Sequence, residues 1–278
     1  MPGRILVTGA TGTVGRQVTE LLLEAGAEVR AFTRGQADLP PAVECARGDL
    51  SAPGSLDAAV EGVEAVFLVW PFATVEGLGA VLATAAEHAR RVVYLSSAAV
   101  REHERQAERL IERSGLEWTV LRPHAFAANA LRWAGPIRAE GAVREPYGQA
   151  AMSPVHERDI AAVAVRALTE AGHAGAVYEL TGPQSLTQAE QVGVIGEVIG
   201  RPVRWEETSP QDARRRMLAR GWPAQAVDGI LRAQAGMTIG PAPVTAAVEE
   251  VTGDAARTFR SWVAENAHAF RAVARVPS

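Results

Sequence analysis

The chain is 278 residues long and carries 28 basic against 32 acidic residues, a net charge of −4 at pH 7. That length suits one large domain or two small ones, and the mildly acidic balance leaves no nucleic-acid-binding footprint at the level of the whole chain. All 28 basic residues are arginine, which excludes a lysine Schiff base, a lysine general base and a phosphate-loop lysine; the single cysteine, Cys45, excludes an internal disulfide and any Cys-x-x-Cys motif.

Met1-Pro2-Gly3-Arg4 leads into an apolar strand without the apolar region of a signal peptide. The longest apolar run, residues 65–73, is well short of the ~18 residues of a membrane span. The expectation is a soluble, cytoplasmic protein with no membrane partner. Arg4-Ile5-Leu6-Val7-Thr8 is a buried strand, and Val14, Val18, Leu21 and Leu22 then recur at helical spacing up to Gly26. Residues 28–32 form a second strand and residues 43–46 a weak third, before Gly48-Asp49-Leu50. Residues 65–70 make a continuous apolar strand, residues 75–88 a helix, and Arg91-Val92-Val93-Tyr94-Leu95 a strand ending in Ser96-Ser97. A charged helix over residues 102–113 and a strand over residues 117–121, closed by Arg122-Pro123, complete the first part. Continuous apolar strands alternating with helices predict a parallel sheet covered on both faces.

Beyond Pro123 the texture changes. Residues 126–133 read as a helix broken by Gly135-Pro136, and residues 138–149 as a loop or hairpin. Helices follow at 159–169, 187–199 and 210–220, with strands at 177–180 and 202–205. No floppy linker separates the two parts.

The first strand delivers Thr8-Gly9-Ala10-Thr11-Gly12-Thr13-Val14-Gly15, a Gly-x-x-Gly-x-x-Gly spacing at a strand-to-helix turn. Glycines there permit a tight turn and close backbone approach to a pyrophosphate. A helix starting near Thr13 aims free N–H groups and its positive dipole end at phosphates. The context predicts dinucleotide binding through Gly9, Thr11, Gly12, Thr13, Val14 and Gly15. The second strand ends in Phe32-Thr33-Arg34-Gly35, without the acidic residue that holds ribose hydroxyls in NAD sites. A guanidinium pairs with a 2′-phosphate that a carboxylate repels, so Thr33 and Arg34 favour NADP(H). Asp49 and Leu50 fall where an adenine edge would lie, though Asp49 or Ser51 is equally a helix cap.

These motifs resemble the atypical short-chain dehydrogenase/reductases, specifically the NmrA-like NAD(P)H-binding group. The resemblance rests on Thr8-Gly9-Ala10-Thr11-Gly12-x-x-Gly15, Thr33-Arg34, Gly48-Asp49-Leu50, Ala65-Val66-Phe67-Leu68 and Leu95-Ser96-Ser97. It extends through Ser114-Gly115-Leu116-Glu117-Trp118-Thr119-Val120-Leu121-Arg122-Pro123, Asn129, Pro154-Val155-His156-Glu157-Arg158-Asp159-Ile160-Ala161, Tyr178-Glu179-Leu180-Thr181-Gly182-Pro183 and Val251-Thr252-Gly253. It implies an α/β fold, a Rossmann-type doubly wound parallel sheet with a small, mostly helical C-terminal substrate lobe. Residues 1–150 would form the NAD(P)-binding domain; residues 151–278 would return to the sheet and add the lobe, as one continuous fold. The resemblance also implies quinone, azo-dye or phenylpropanoid reduction, or redox sensing without turnover.

The superfamily's Tyr-x-x-x-Lys pair is missing: Ala98, Ala151 and Gly182 stand four residues after Tyr94, Tyr147 and Tyr178, and no lysine exists. The low-pKa tyrosine acid therefore cannot be built. Ser97, which by resemblance takes the place of the superfamily's substrate-binding serine, and His124, after the sixth strand, are the candidate catalytic groups, the imidazole as a proton donor near neutral pH. The alternatives are a turn-forming hydroxyl and a loop histidine. His103 beside Glu104 is a second donor candidate, its plainer reading a helix-face residue. His156-Glu157-Arg158-Asp159 lacks the second histidine of a zinc motif and reads better as a helix start; no metal is expected. Val69, Trp70 and Pro71 would wall the nicotinamide side, with Phe72, Phe126, Asn129 and Tyr147 toward substrate. Asn129 and Trp133 would share a helix face, and Trp70 is also compatible with core packing. Arg214-Arg215-Arg216 with Arg220 reads as a solvated helix face or a site for an anionic group.

The expected activity is NADPH-dependent hydride transfer to a conjugated, quinone-like or aromatic small molecule, because such acceptors stabilise the developing anion themselves and need only a weak acid. The alternatives are a non-catalytic NADP(H)-sensing regulator and a non-redox enzyme reusing the fold. A homodimer is compatible with the sequence.

Overall fold

A computed structural model describes residues 3–271; Met1, Pro2 and 272–278, the last stretch of the expected C-terminal lobe, lie outside the described residues. The chain divides into two compact units. The first runs to His124 and adds Glu157–Leu180 and Ala246–Ala255; the second comprises Ala125–His156, Thr181–Thr245 and the residues from Ala256 onward.

In chain order, the first unit lays down β1 (Arg4–Thr8), α1 (Thr13–Glu24), β2 (Glu28–Thr33) and β3 (Glu44–Arg47). A 3-10 turn (Pro53–Leu56) runs into α2 (Asp57–Val60), then come β4 (Val63–Val69), α3 (Leu78–Ala86), β5 (Arg91–Leu95), α4 (Glu102–Glu112) and β6 (Glu117–Pro123). The second unit begins with a 3-10 helix (Ala127–Trp133), α5 (Ala134–Glu140), β7 (Ala142–Glu145) and β8 (Ala151–Met152). The chain returns to the first unit for α6 (Glu157–Thr169) and β9 (Ala176–Leu180). It leaves again for β10 (Leu186–Thr187), α7 (Gln188–Ile199), β11 (Arg204–Glu207), α8 (Pro210–Ala219) and α9 (Ala224–Gly236). After α10 (Ala247–Thr252) in the first unit, α11 (Phe259–Glu265) and α12 (Ala267–Phe270) close the second.

The first unit is built on a seven-stranded sheet of order β3-β2-β1-β4-β5-β6-β9, every neighbouring pair parallel. This is the doubly wound Rossmann-type arrangement expected from the sequence. The alternation of side chains along each strand divides the core. Leu6, Val66, Leu68, Val92, Tyr94 and Val120 pack with Leu56, Val60, Leu78, Leu82 and Ile111 on one face. Ile5, Val7, Phe67, Val93 and Leu121 alternate with them and are equally buried, toward the face where α6 lies against β4, β5 and β6 and α1 lies against α6. Truncating a fully buried ring such as Phe67 to alanine costs about 3–5 kcal/mol. Thr8 stitches the central strands: its Oγ1 accepts from Val69 N–H at 2.7 Å and donates to Phe67 O at 3.2 Å. The winding direction reverses between β1 and β4, and open α/β sheets bind ligands outside the strand ends at such a point.

The second unit packs Trp133, Ile137, Val143, Val192, Ile195, Phe259, Trp262 and Phe270 into a core of its own. Three expectations fail here. Residues 138–149 are not a hairpin: they hold the end of α5 and then β7, which pairs parallel with β11. Pro136 does not break the helix because it is the third residue of α5, inside the first turn, where no intrahelical N–H bond is lost. Residues 127–133 are 3-10 rather than α-helical. At three residues per turn, positions four apart diverge by about a third of a turn, so Trp133 is buried while Asn129 is exposed.

Candidate functional site: a coenzyme cavity at the ends of β1, β2 and β4

The turn after β1 is shaped by two of its three glycines. Gly9 sits at φ +66°, in the left-handed region, and its carbonyl accepts from Gly12 N–H at 2.8 Å, closing the turn. Gly15 lies so close to the turn that a Cβ there would run into the Gly9 carbonyl oxygen and sit 2.7 Å from its carbon. The helix thus starts directly against the strand end. Gly12 caps α1 without a side-chain hydrogen bond, and no acidic residue stands in the first turn. The first amides of α1 are therefore open to an anion, with the dipole in their favour.

A cavity of about 390 Å³ opens over this turn. Of the sequence-derived coenzyme residues it brings together Gly9, Thr11, Thr33, Arg34, Asp49, Leu50, Val69 and Pro71, along with Phe72, which the sequence placed toward substrate. Thr8, Ala10, Phe32 and Gly48 line it as well; sequence reasoning passed over these, although the first three sit at or just past the ends of strands already identified. Gly12, Thr13, Val14 and Gly15 form the turn and the helix start behind the lining residues.

Arg34 is exposed and forms no ion pair among the described residues. Asp49 Oδ1 accepts from Ser51 N–H at 2.9 Å. That bond, with the Ser51 hydroxyl and then the Arg34 charge, holds the Asp49 carboxyl below the usual carboxylate range. The following 3-10 turn is capped by Ala52, so neither Asp49 nor Ser51 serves as its cap. A glycine turn and an unpaired guanidinium lining one cavity, with the uncapped start of α1 behind that turn, fit a dinucleotide carrying a 2′-phosphate.

A smaller cavity of about 140 Å³ lies at the ends of β4 and β5 and shares Phe72 with the first. Trp70 lines this one rather than the larger, together with Ser96, Ser97, Tyr94, His103 and Glu104. Trp70 and Phe72 meet edge to face at 4.8 Å, and Trp70 Nε1 donates to Thr74 O at 2.7 Å. Ser97 Oγ accepts from Ala99 N–H at 3.2 Å, which leaves its own proton free. His103 Nε2 lies 3.0 Å from Glu104 Oε1. Behind the lining, buried Glu108 accepts from Ser96 Oγ at 2.6 Å and from Arg122 through both oxygens, at 3.0 and 2.6 Å. The Glu108 carboxylate in turn raises the Arg122 guanidinium above its ordinary value.

His124 lines neither cavity. Its N–H donates to Leu180 O at 2.9 Å, and its Nε2 is buried without a hydrogen-bond partner, 3.9 Å from Glu179 Oε2. Phe126, Asn129 and Tyr147 belong to the second unit. Phe126 bridges to Val155. Tyr147, the one non-glycine residue at positive φ among the described residues, is pinned by Glu207 on its N–H and Gln188 on its carbonyl. It packs against Ala213, Val227 and Leu231. His156 pairs with Glu265 just before α6, whose first turn carries Glu157 and Asp159. The basic run is engaged locally: Arg214 with Asp228, Arg215 with Asp212, Arg216 with Arg144 O. Among the described residues no cluster of His, Cys, Asp and Glu is arranged to hold a metal, and no helix is long and apolar enough to cross a membrane.

A sequence model of the NAD(P)H-binding family matches residues 9–171, more than half of the chain. The chain belongs to the NAD(P)H-binding family. This family member is 41% identical over 279 residues to the (4-alkanoyl-5-oxo-2,5-dihydrofuran-3-yl)methyl phosphate reductase of Streptomyces griseus, covering 96% of this chain and 99% of the relative. It is 35% identical to the NAD(P)H azoreductase of Xenophilus azovorans, covering 96% and 99%. Its fold matches that of the NADPH-dependent quinone oxidoreductase of Escherichia coli, solved with NADPH, at a TM-score of 0.77 and 22% identity over 94% of this chain and 99% of the other.

Proposed function

We propose that this member of the NAD(P)H-binding family is an NADPH-dependent reductase that passes hydride to a conjugated, quinone-like or aromatic small molecule. The observation that carries the reading is one cavity that joins the glycine turn, the unpaired Arg34 and the apolar end of β4. The reductase names of the two relatives support it. In this reading the first amides of α1 hold the pyrophosphate and Arg34 holds the 2′-phosphate. Bound NADPH supplies the hydride. Pro71 and Phe72 exclude water beside it, and the free Ser97 proton orients an acceptor oxygen. The chain has no lysine to depress a tyrosine pKa, so the acceptor stabilises its own developing charge and a weak donor suffices.

The test follows loss of reduced-coenzyme absorbance with a panel of quinones and unsaturated lactones. Turnover with NADPH is expected, and Arg34→Ala should weaken NADPH binding about 10- to 100-fold, the worth of charge-assisted hydrogen bonds to phosphate, while leaving NADH binding unchanged. Tight NADPH binding with no turnover on any acceptor would establish the sensing role instead, a reading favoured by the place of His124 outside both cavities.

A further inference from the structure

The smaller cavity has a feature that the coenzyme reading leaves unused. Tyr94 is 4% exposed and lines this cavity, yet its hydroxyl makes no hydrogen bond among the described residues. The hydroxyl is not among the fully buried polar atoms left without a partner, so it keeps accessible surface and is available as a donor to whatever occupies the cavity. Ser96 Oγ is committed to Glu108, Trp70 Nε1 to Thr74 O, and Glu104 to Arg101 N–H and His103, which leaves the Tyr94 and Ser97 hydroxyls as the two donors open to a ligand in this cavity.

We propose that the smaller cavity is the acceptor's second subsite, where a neutral carbonyl remote from the reacting carbon takes the hydrogen bond of the Tyr94 hydroxyl. The proposal rests on the reductase reading and names the acceptor class: a conjugated molecule with an additional uncharged carbonyl arm. The shared Phe72 lets one molecule extend from the larger cavity into the smaller. The edge-to-face pair of Trp70 and Phe72 supplies flat apolar walls for the arm. About 140 Å³ holds such an arm, whereas whole ligand sites run from roughly 300 Å³ upward.

Charge decides which oxygen is held there. Burial, then Glu108, then Glu104 push the Tyr94 hydroxyl up to about 12. The phenol therefore remains a hydrogen-bond donor at neutral pH, and the same surroundings oppose any negative charge in the cavity. An oxyanion formed by hydride transfer would be disfavoured here, and so would a carboxylate arm; a neutral carbonyl fits both the donor and the field.

The experiment measures dissociation constants by calorimetry on the NADP⁺-loaded protein, so that acceptor reactivity plays no part. The probes are a naphthoquinone with an acetyl side group, its ethyl counterpart, and counterparts bearing a carboxylate or a trimethylammonium group. Tyr94→Phe is expected to weaken the acetyl compound about 3- to 10-fold, the range of one neutral hydrogen bond, and to leave the ethyl compound unaffected and the thermal midpoint unchanged. Glu104→Gln, which keeps the helix-capping geometry, should improve binding of the carboxylate compound. Equal losses for the acetyl and ethyl compounds, no loss for the acetyl compound, failure of the parent to bind either, or tighter binding of the trimethylammonium compound would each overturn the proposal. A parent that binds the acetyl compound through Tyr94 but oxidises no NADPH would refute the reductase reading and leave the subsite standing.

Discussion

Gly15→Ala is the sharpest perturbation of the coenzyme turn. The added methyl would run into the Gly9 carbonyl oxygen and sit 2.7 Å from its carbon and 3.1 Å from Ala10 Cα. All three atoms are backbone, so no side chain can rotate away. Clearing the oxygen as well as restoring a carbon–carbon separation of about 3.5 Å requires α1 to retreat, or the turn to open, by roughly 1 Å. Overpacking of this kind costs about 1–3 kcal/mol. The effect on binding should be larger than that figure suggests, because the displaced groups are the amides aimed at the pyrophosphate, and a 1 Å misplacement can cost about 100-fold. The assay pairs denaturant unfolding with NADPH titration for Gly15→Ala, Gly12→Ala and Gly35→Ala. Gly12, where a Cβ would sit 3.2 Å from Gly9 O, should respond mildly, and Gly35, where a Cβ meets nothing within 4 Å, should not respond in stability. A Gly15→Ala protein with parental stability and parental NADPH affinity would refute the contact argument.

Arg122→Ala should destabilise by about 3 kcal/mol or more, since it leaves the buried Glu108 carboxylate with Ser96 as its partner; denaturant midpoints check this, and adding Glu108→Gln should recover part of the loss. The Tyr94 hydroxyl lies at about 12 in the fold against 10.0 in the unfolded chain. A raised value means stability that is complete below pH 10 and lost as pH climbs toward 12, worth roughly 2–3 kcal/mol. Denaturant midpoints between about pH 9 and pH 11.5 should fall less steeply in Tyr94→Phe than in the parent. Because His124 lies outside both cavities, His124→Ala should leave kcat and NADPH affinity near parental values; a fall in kcat of about 100-fold with NADPH affinity intact would make it the proton donor.

The central strands of the first unit were legible because they are apolar runs ending in a glycine, serine or proline signal, whereas the short, exposed β3 was faint; the coenzyme turn was legible because its glycines stand between such a strand and an amphipathic helix. The polar cluster behind the smaller cavity was harder. The stretch Glu102–Glu112 reads as a solvated charged helix, yet Glu104 and Glu108 are buried with Ala107 and Ile111. The i, i+3, i+4, i+7 spacing of those four residues was the available signal, masked by the expectation that carboxylates face water. In the second unit, β7 is four residues long and its partner β11 lies some sixty residues further along the chain, so no local pattern announces the pairing. Tyr147 at positive φ is equally unreadable, because its conformation is imposed by Glu207 and Gln188 from remote elements.

The interleaving of the two units has a consequence for synthesis. The first unit's sheet is not finished when β6 leaves the ribosome: β9 is supplied only after the excursion from Ala125 to His156, and α10 only after a second one ending at Thr245. Until then the β6 edge offers unpaired backbone to any passing strand. A nascent or truncated chain ending near His124 should therefore depend on chaperones and aggregate when released, and neither half of the molecule can be cut out as one contiguous fragment.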